Sequence, residues 1–369
     1  MNPVDRCKVA VWGPGRLGVE VIRTLVGLES VDLVSVLAYS KDKAGRDAGE
    51  LAGIARLGVL VTTDRAEMLA ARPDVVVHTN MDMGGWQADD DLLQLLGAGH
   101  NVITAHAYGG LHLREGDAFE RFESCAVSGG ATFYCTGVNP AFELEQLVQT
   151  LSGGCSHIES ILVRDVMVLD DAGALALEVM GFGKPLDERL SNHLRLWVGQ
   201  YLEPSMRVTA ELLGRPLDRI EFSNHNSPAA HSVELASMTV GEGTCGKIAL
   251  RFDGYSGDEV FISVEGLYYV GAEQRPSDAV AAEYVVVEIE GRPSMRVTLD
   301  LKASLREGLE RYPDSQDTPI IYSAAAAPIV QAIPLVMAAP AGVMRTPQSP
   351  THYDARFLRR SRGLTAPRM

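Results

Sequence analysis

The chain has 369 residues, 46% apolar and 22% charged, a composition suited to a globular protein with room for two domains. Its 48 acidic residues outweigh 33 basic ones, and the formal net charge of −15 argues against a nucleic-acid or anionic-membrane binder working through a basic surface. Five cysteines (Cys7, Cys125, Cys135, Cys155 and Cys245) contain no CxxC pair, so neither a disulfide framework nor a structural metal site is expected, and the compartment expected is a reducing cytoplasm.

In chain order, the apolar run Val9–Trp12 leads into Gly13-Pro14-Gly15-Arg16-Leu17-Gly18 and then the helical pattern Val21, Ile22, Leu25. Strand, glycine turn and helix in that order form the context of a dinucleotide-binding fingerprint. The first glycine permits the tight turn, the second admits a pyrophosphate, and the third lets helix and strand pack closely. Gly13, Gly15, Arg16, Leu17 and Gly18 are therefore expected at a bound nicotinamide dinucleotide, whose phosphates the helix N-terminus favours.

Further apolar runs at Val31–Ala38, Val59–Val61, Val75–Val77, Val102–Ile103 and Ala131–Tyr134 alternate with helical patterns such as Leu92, Leu93, Leu95, Leu96. That alternation predicts an α/β fold with a doubly wound parallel Rossmann sheet over residues 1–138. The second strand ends Tyr39-Ser40-Lys41-Asp42-Lys43, with no acid at its tip. A hydroxyl and two cations (Ser40, Lys41, Lys43) together with Arg16 suit the 2′-phosphate of NADP, while Asp42 leaves NAD as the alternative. His78, Thr79 and Asn80 end the fourth strand, where contacts to the cofactor's diphosphate or ribose are expected.

His106 and Tyr108 follow the fifth strand, where a loop would face the nicotinamide. Histidine gives and takes protons near neutrality, and tyrosine can donate to a developing alkoxide, so both are candidate catalytic residues. Asn139-Pro140 reads as a helix start, with Asn139 as cap or as a contact to nicotinamide or substrate.

Residues 139–318 are read as one domain: a helical segment with Phe142, Leu144, Leu147, Val148 and Leu151 stops at Gly153-Gly154, and from about residue 156 the pattern is mainly strands, Ile158–Val168, Arg219–Ser223, Ser232–Val240, Lys247–Phe252, Val260–Val270, Glu283–Ile289 and Met295–Leu301. One helix, Leu190–Leu213, interrupts them. This predicts a second, α+β mixed-sheet domain, open like the substrate domains of two-domain reductases. An apolar helix, Ile320–Ile333, ending near Pro334, is expected to return to the nucleotide domain within residues 319–345. A tail, 346–369, carries Arg356, Arg359, Arg360, Arg362 and Arg368. No apolar run is read as long enough to cross a membrane, and no signal-peptide core is read at the N-terminus.

The stretches Val9–Gly18, Lys43–Leu51, Asn101–Thr104, Gly137–Phe142 and Gly181–Pro185, in this order and spacing, resemble the dihydrodipicolinate-reductase-like NAD(P)-dependent proteins, on the side of the 2,4-diaminopentanoate and native amine dehydrogenases. The resemblance implies a Rossmann domain, a second α+β domain, a homodimer, and hydride transfer at a C–N bond between an imine and an amine. Two departures accompany it. The paired-histidine and lysine motif of the true reductases is absent, since His225 and His231 stand six apart with no lysine between them. The amine dehydrogenases' glutamate after the fifth strand is replaced by Ala105-His106-Ala107-Tyr108. An amine dehydrogenase or imine reductase is the first expectation. A carbonyl reductase or alcohol dehydrogenase using His106 or Tyr108 as proton donor is the second, and a non-catalytic NADPH sensor the third.

Overall fold

A computed structural model describes residues 6–80, 84–281, 283–306 and 320–354. The chain divides into two compact units, one formed by Met1–Phe142 with Leu301–Thr346 and the other by Glu143–Asp300 with Pro347–Met369.

The first unit opens with strands β1 (Cys7–Trp12), β2 (Val31–Leu37), β3 (Val61–Thr62), β4 (Val75–His78), β5 (Asn101–Thr104) and β6 (Thr132–Cys135). Helices α1 (Arg16–Val26), α2 (Ala48–Leu51), α3 (Arg65–Ala70), α4 (Asp89–Gly97) and α5 (Ala118–Gly129) lie between them. The sheet runs β6-β5-β4-β1-β2-β3, and a last short strand, Gly342–Val343, pairs outside β6. Every pairing in it is parallel. Successive residues Val75, Val76 and Val77 are all fully buried, because both faces of the sheet are covered. Val75 and Val77 join α1 and α2 residues in one core, while Val76 joins Met68, Leu92, Leu95, Leu96 and Phe122 in another.

After Cys135 the backbone winds wide, in a π-helical stretch over Val138–Leu147, with Asn139 extended (φ −116°, ψ 126°) before a cis bond to Pro140. The turn α6 (Val148–Ser152) continues it. An ordinary helix start at Asn139-Pro140 was expected; the Phe142 N–H instead reaches the carbonyl of Gly137, at 3.1 Å, so the opening is five residues wide.

The second unit holds β7 (His157–Val168), α7 (Ala174–Met180), α8 (Glu188–Leu212), β8 (Arg219–Asn224), β9 (Ser227–Pro228), β10 (Val233–Glu234), β11 (Thr239–Val240), β12 (Cys245–Ser256), β13 (Glu259–Tyr269), β14 (Tyr284–Arg292) and β15 (Met295–Asp300). Its sheet runs β15-β14-β7-β13-β12-β8, mixed because β7 and β13 are parallel while their neighbours are antiparallel. The expected single strand Ser232–Val240 is a two-rung hairpin, β10 with β11, folded back within that stretch. Asp187 caps α8 by accepting the Leu190 N–H at 3.0 Å. Leu190, Leu194, Val198, Leu202 and Met206 of α8 then pack on Leu250, Phe252, Ile262 and Val264 of the sheet. The described part of the tail also packs in this unit, where the Tyr353 N–H meets Ser152 Oγ at 3.0 Å. The five tail arginines lie outside the described residues.

Ile320–Ala338 corrects the reading that no apolar run reaches membrane-crossing length, since it meets that test by length and composition. It is two helices in the first unit, α9 (Ile320–Gln331) and α10 (Ile333–Ala338). Pro334 does not end the segment; it lies in the first turn of α10, where a missing N–H costs nothing. Ala326, Ile329, Val330, Ile333 and Val336 are buried in the core shared with α1 and the parallel sheet. The final strand, Gly342–Val343, becomes β16.

Candidate functional site

The site of the first unit forms where β1, β4 and β5 end. β1 stops at Trp12, fully buried, and Gly13 turns the chain with φ +99°. The Gly13 N–H donates to the Leu37 carbonyl (2.9 Å), and the Gly15 N–H closes the turn onto Gly13 O (2.7 Å). The three glycines differ in what a side chain would meet. A Cβ on Gly13 would lie 2.3 Å from Asn80 Oδ1, and one on Gly18 would lie 2.2 Å from Gly13 O. A Cβ on Gly15 would meet nothing within 4 Å. The first and third glycines are thus required by the fold, whereas the second leaves open space before the N-terminus of α1. This is the cradle a diphosphate needs, so the turn fits a dinucleotide.

Residues around the turn hold it. Thr79 Oγ1 donates to Gly13 O (2.9 Å), and Lys43 Nζ reaches Pro14 O (2.8 Å) from the short turn Lys41–Lys43. Ser40 donates to Asp42 within that turn, and Lys41 is exposed. Arg16 hydrogen-bonds Tyr322 of α9, whose hydroxyl burial pushes above the usual tyrosine range while the Arg16 charge opposes that shift. Leu17 packs against the core beneath α1.

His78 is fully buried, its ring between Thr104 Oγ1 (3.2 Å from Nδ1) and Asn80 Nδ2 (2.9 Å from Nε2). Burial, and secondarily the neighbouring His106, hold it well below the ordinary histidine value of 6.5, so it is neutral. The loop after β5 brings His106 against it, with ring centroids 4.8 Å apart. Thr104 Oγ1 accepts the His106 N–H (3.1 Å), and His106 Nε2 donates to the Asn80 carbonyl (2.7 Å). The ring proton of neutral His106 is thereby fixed on Nε2.

Tyr108, two residues on, is placed differently. It is buried among Trp86, Phe122 and Phe133, and its hydroxyl donates to Asp89 Oδ1 at 2.6 Å. Asp89 is also gripped by both terminal nitrogens of Arg114 (2.7 and 3.1 Å). The loop 105–117 is pinned by this buried group, and the phenolic proton is committed to it. Asn139 lies further along the chain, extended ahead of its cis bond to Pro140 where the π-helical stretch begins.

The sequence reading passed over Tyr39, Asp89, Asp91 and Arg114. Asp89, Asp90 and Asp91 open α4, and only the tertiary fold carries two of their carboxylates to Tyr108 and Tyr39.

An N-terminal glycine turn on a β6-β5-β4-β1-β2-β3 sheet, with a second mixed-sheet unit, defines a two-domain, NAD(P)-linked oxidoreductase architecture. The family described as dihydrodipicolinate reductase, N-terminus, matches residues 7–82. The chain is 29% identical over 308 residues to an amine dehydrogenase of Streptomyces virginiae, covering 79% of this chain and 84% of that one. It is 24% identical over 193 residues to a 2,4-diaminopentanoate dehydrogenase of Acetoanaerobium sticklandii, about half of each. The solved structure of an amine dehydrogenase from Mycobacterium smegmatis shares the fold, with a TM-score of 0.75 at 19% identity over 94% of this chain and 97% of that one. The chain is an amine-dehydrogenase-like oxidoreductase, as the sequence motifs imply.

Proposed function

We propose that this protein is an NAD(P)H-dependent enzyme interconverting a small ketone plus ammonia with a primary amine. The observation that carries this reading is the likeness to an amine dehydrogenase across 84% of that protein's length. The open space at Gly15 supports it. When bound, the nicotinamide would supply the hydride. The residues around it would do the rest: the glycine turn holds the diphosphate, Asn80 and Thr79 order its mouth, and His106 holds or moves a proton. The bond from Nε2 to the Asn80 carbonyl fixes the orientation of the His106 ring beside the turn. Tyr108 serves by bracing the loop from Asp89, and Asn139 by positioning the amide of the cofactor or the substrate.

A second reading, carbonyl reduction without ammonia, is favoured by one feature. The loop after β5 offers His106 and no carboxylate between Ala105 and Gly110, and a neutral carbonyl needs a proton donor more than an anion. A ketone panel assayed with and without ammonium separates the two. Turnover only with ammonium supports the first reading, and equal turnover without it supports the second. His106→Ala is expected to lower kcat about 100-fold in either case, and an unchanged kcat would remove His106 from the chemistry.

NADP is the preferred cofactor in this reading, with NAD as the alternative. Lys43 sits on the turn, Arg16 opens α1, and Ser40 and Lys41 stand at the tip of β2. The double variant Arg16→Ala/Lys41→Ala is expected to weaken NADPH binding far more than NADH binding. A cytoplasmic homodimer completes the proposal. The face of the second sheet away from α8 carries Arg164, Glu265, Arg251 and Asp253, a charge pattern that a second copy can complement.

A further inference from the structure

One buried polar atom at the glycine turn has no hydrogen-bond partner among the described residues. It is Oδ1 of Asn80, and it faces Gly13. Carboxamide oxygen and nitrogen have the same shape, so their assignment must follow from the donors and acceptors around them. Asp91 decides it. Its carboxylate accepts the Tyr39 hydroxyl proton (2.6 Å) and is held by the Arg65 guanidinium, which lies 4.7 Å over the Trp12 ring. That bond uses the single proton of Tyr39, so the phenol oxygen accepts from Asn80 at 3.2 Å, and the Asn80 atom there must be Nδ2. Nδ2 is also 2.9 Å from His78 Nε2, which must then accept. The His78 proton consequently sits on Nδ1 and is donated to Thr104 Oγ1. Burial keeps the phenol protonated and the imidazole neutral, so neither end of this chain reverses near neutral pH.

We propose that Asp91, Tyr39 and His78 are positioning residues that lock the Asn80 carboxamide with its oxygen toward the glycine turn, as the acceptor for a ribose hydroxyl of the bound dinucleotide. The inference rests on the cofactor reading above. A lone buried acceptor calls for a donor. The phosphates that the turn would cradle offer none, whereas the ribose hydroxyls on either side of the diphosphate do.

The test is a double-variant cycle on the full chain, read as the dissociation constant of NADPH and of NADH by fluorescence. Tyr39→Phe keeps the ring and removes the directing oxygen. It is expected to weaken the better-bound cofactor about fivefold, and Asn80→Ala about tenfold, the range of one hydrogen bond. Combining them should cost no more than Asn80→Ala alone, because Tyr39 acts through Asn80. Independent losses that add would overturn the inference, as would an unchanged Tyr39→Phe. Asn80→Ser replaces Asn80→Ala if the latter does not fold, with the same expectations. A second readout needs no cofactor: nitrogen NMR of His78 should show Nδ1–H with Nε2 bare, and the opposite tautomer overturns the assignment. Failure of the unaltered protein to bind either nucleotide would overturn the cofactor reading and this inference together, whereas binding with an indifferent Tyr39 overturns the inference alone.

Discussion

The two sheets of this protein solve the burial problem in opposite ways. In the parallel sheet every crossover lays a helix on one face or the other, so consecutive residues of β4 are equally buried and the strand reads VVV. In the mixed sheet α8 and its neighbours cover one face. Along β12 buried Ile248, Leu250 and Phe252 alternate with half-buried Lys247, Ala249, Arg251 and Asp253. The opposite face carries a charge lattice in which Arg251 donates to Asp253, Glu265 and Ser263, and beside it Val166, Tyr269 and Tyr284 are buried in a small apolar cluster of their own. The continuous apolar run of β4 thus reports two packed faces, and the alternating run of β12 reports one.

The largest test of this contrast is an asparagine scan. Val76→Asn and Val77→Asn face opposite cores, and each is expected to cost about 3 kcal/mol or more, since each buries an amide in an apolar setting. In the mixed sheet Leu250→Asn should cost as much, whereas Ala249→Asn, one residue away on the other face, should cost less than about 1 kcal/mol. Urea unfolding measures all four, and a costly Ala249→Asn would break the comparison.

Next in size is a contrast within the glycine turn. Gly18→Ala forces a Cβ to 2.2 Å from the Gly13 carbonyl and is expected to cost about 1–3 kcal/mol of stability. Gly15→Ala meets only open space and should leave the thermal midpoint unchanged while weakening NADPH binding about tenfold or more. Equal effects of the two on stability would show that the second glycine serves the fold and not a ligand.

A smaller effect is set by His78. Above pH 6.5 the ring is neutral both folded and unfolded and adds no pH dependence. Below 6.5 the unfolded chain takes up a proton that the folded chain refuses, so stability falls with falling pH, by up to about 1.4 kcal/mol per unit from this group. His78→Gln should flatten the decline between pH 6 and 5 in urea titrations, and an unchanged slope would mean the ring is not held neutral. The smallest effect is expected at an exposed ion pair on the face away from α8. Arg296, paired with Glu288 at 2.6 Å but largely exposed, should tolerate Arg296→Gln within about 0.5 kcal/mol. Light scattering of the same variant sharpens the contrast, because a change of oligomeric state without loss of stability would assign this part of the face to an interface between copies.

Much of the first unit was legible because its signals are local. Gly13, Gly15 and Gly18 encode a turn, the Val-rich runs encode doubly covered strands, and their alternation with helical patterns encodes parallel order. The second unit was legible as strands but not as pairings, and Ser232–Val240 gave an extended pattern to what is a short hairpin. The Ile320–Ala338 segment shows the same limit from another side. An uncharged stretch of that length fits a membrane or a core equally well, and only its packing against α1 and the sheet distinguishes them.

The amino-acid sequence by itself determined the glycine turn, the period of each strand and the absence of a carboxylate from the loop after β5, because these depend on neighbours a few residues apart. Only the tertiary structure decided that the phenolic proton of Tyr108 belongs to Asp89, that His106 is tethered by the Asn80 carbonyl, and that Asp91 sets the direction of a hydrogen-bond chain through Tyr39, Asn80 and His78. Hydrogen-bond direction is a property of groups brought together by folding. The residues joined in that chain are separated by up to tens of positions, and no local pattern records which will meet.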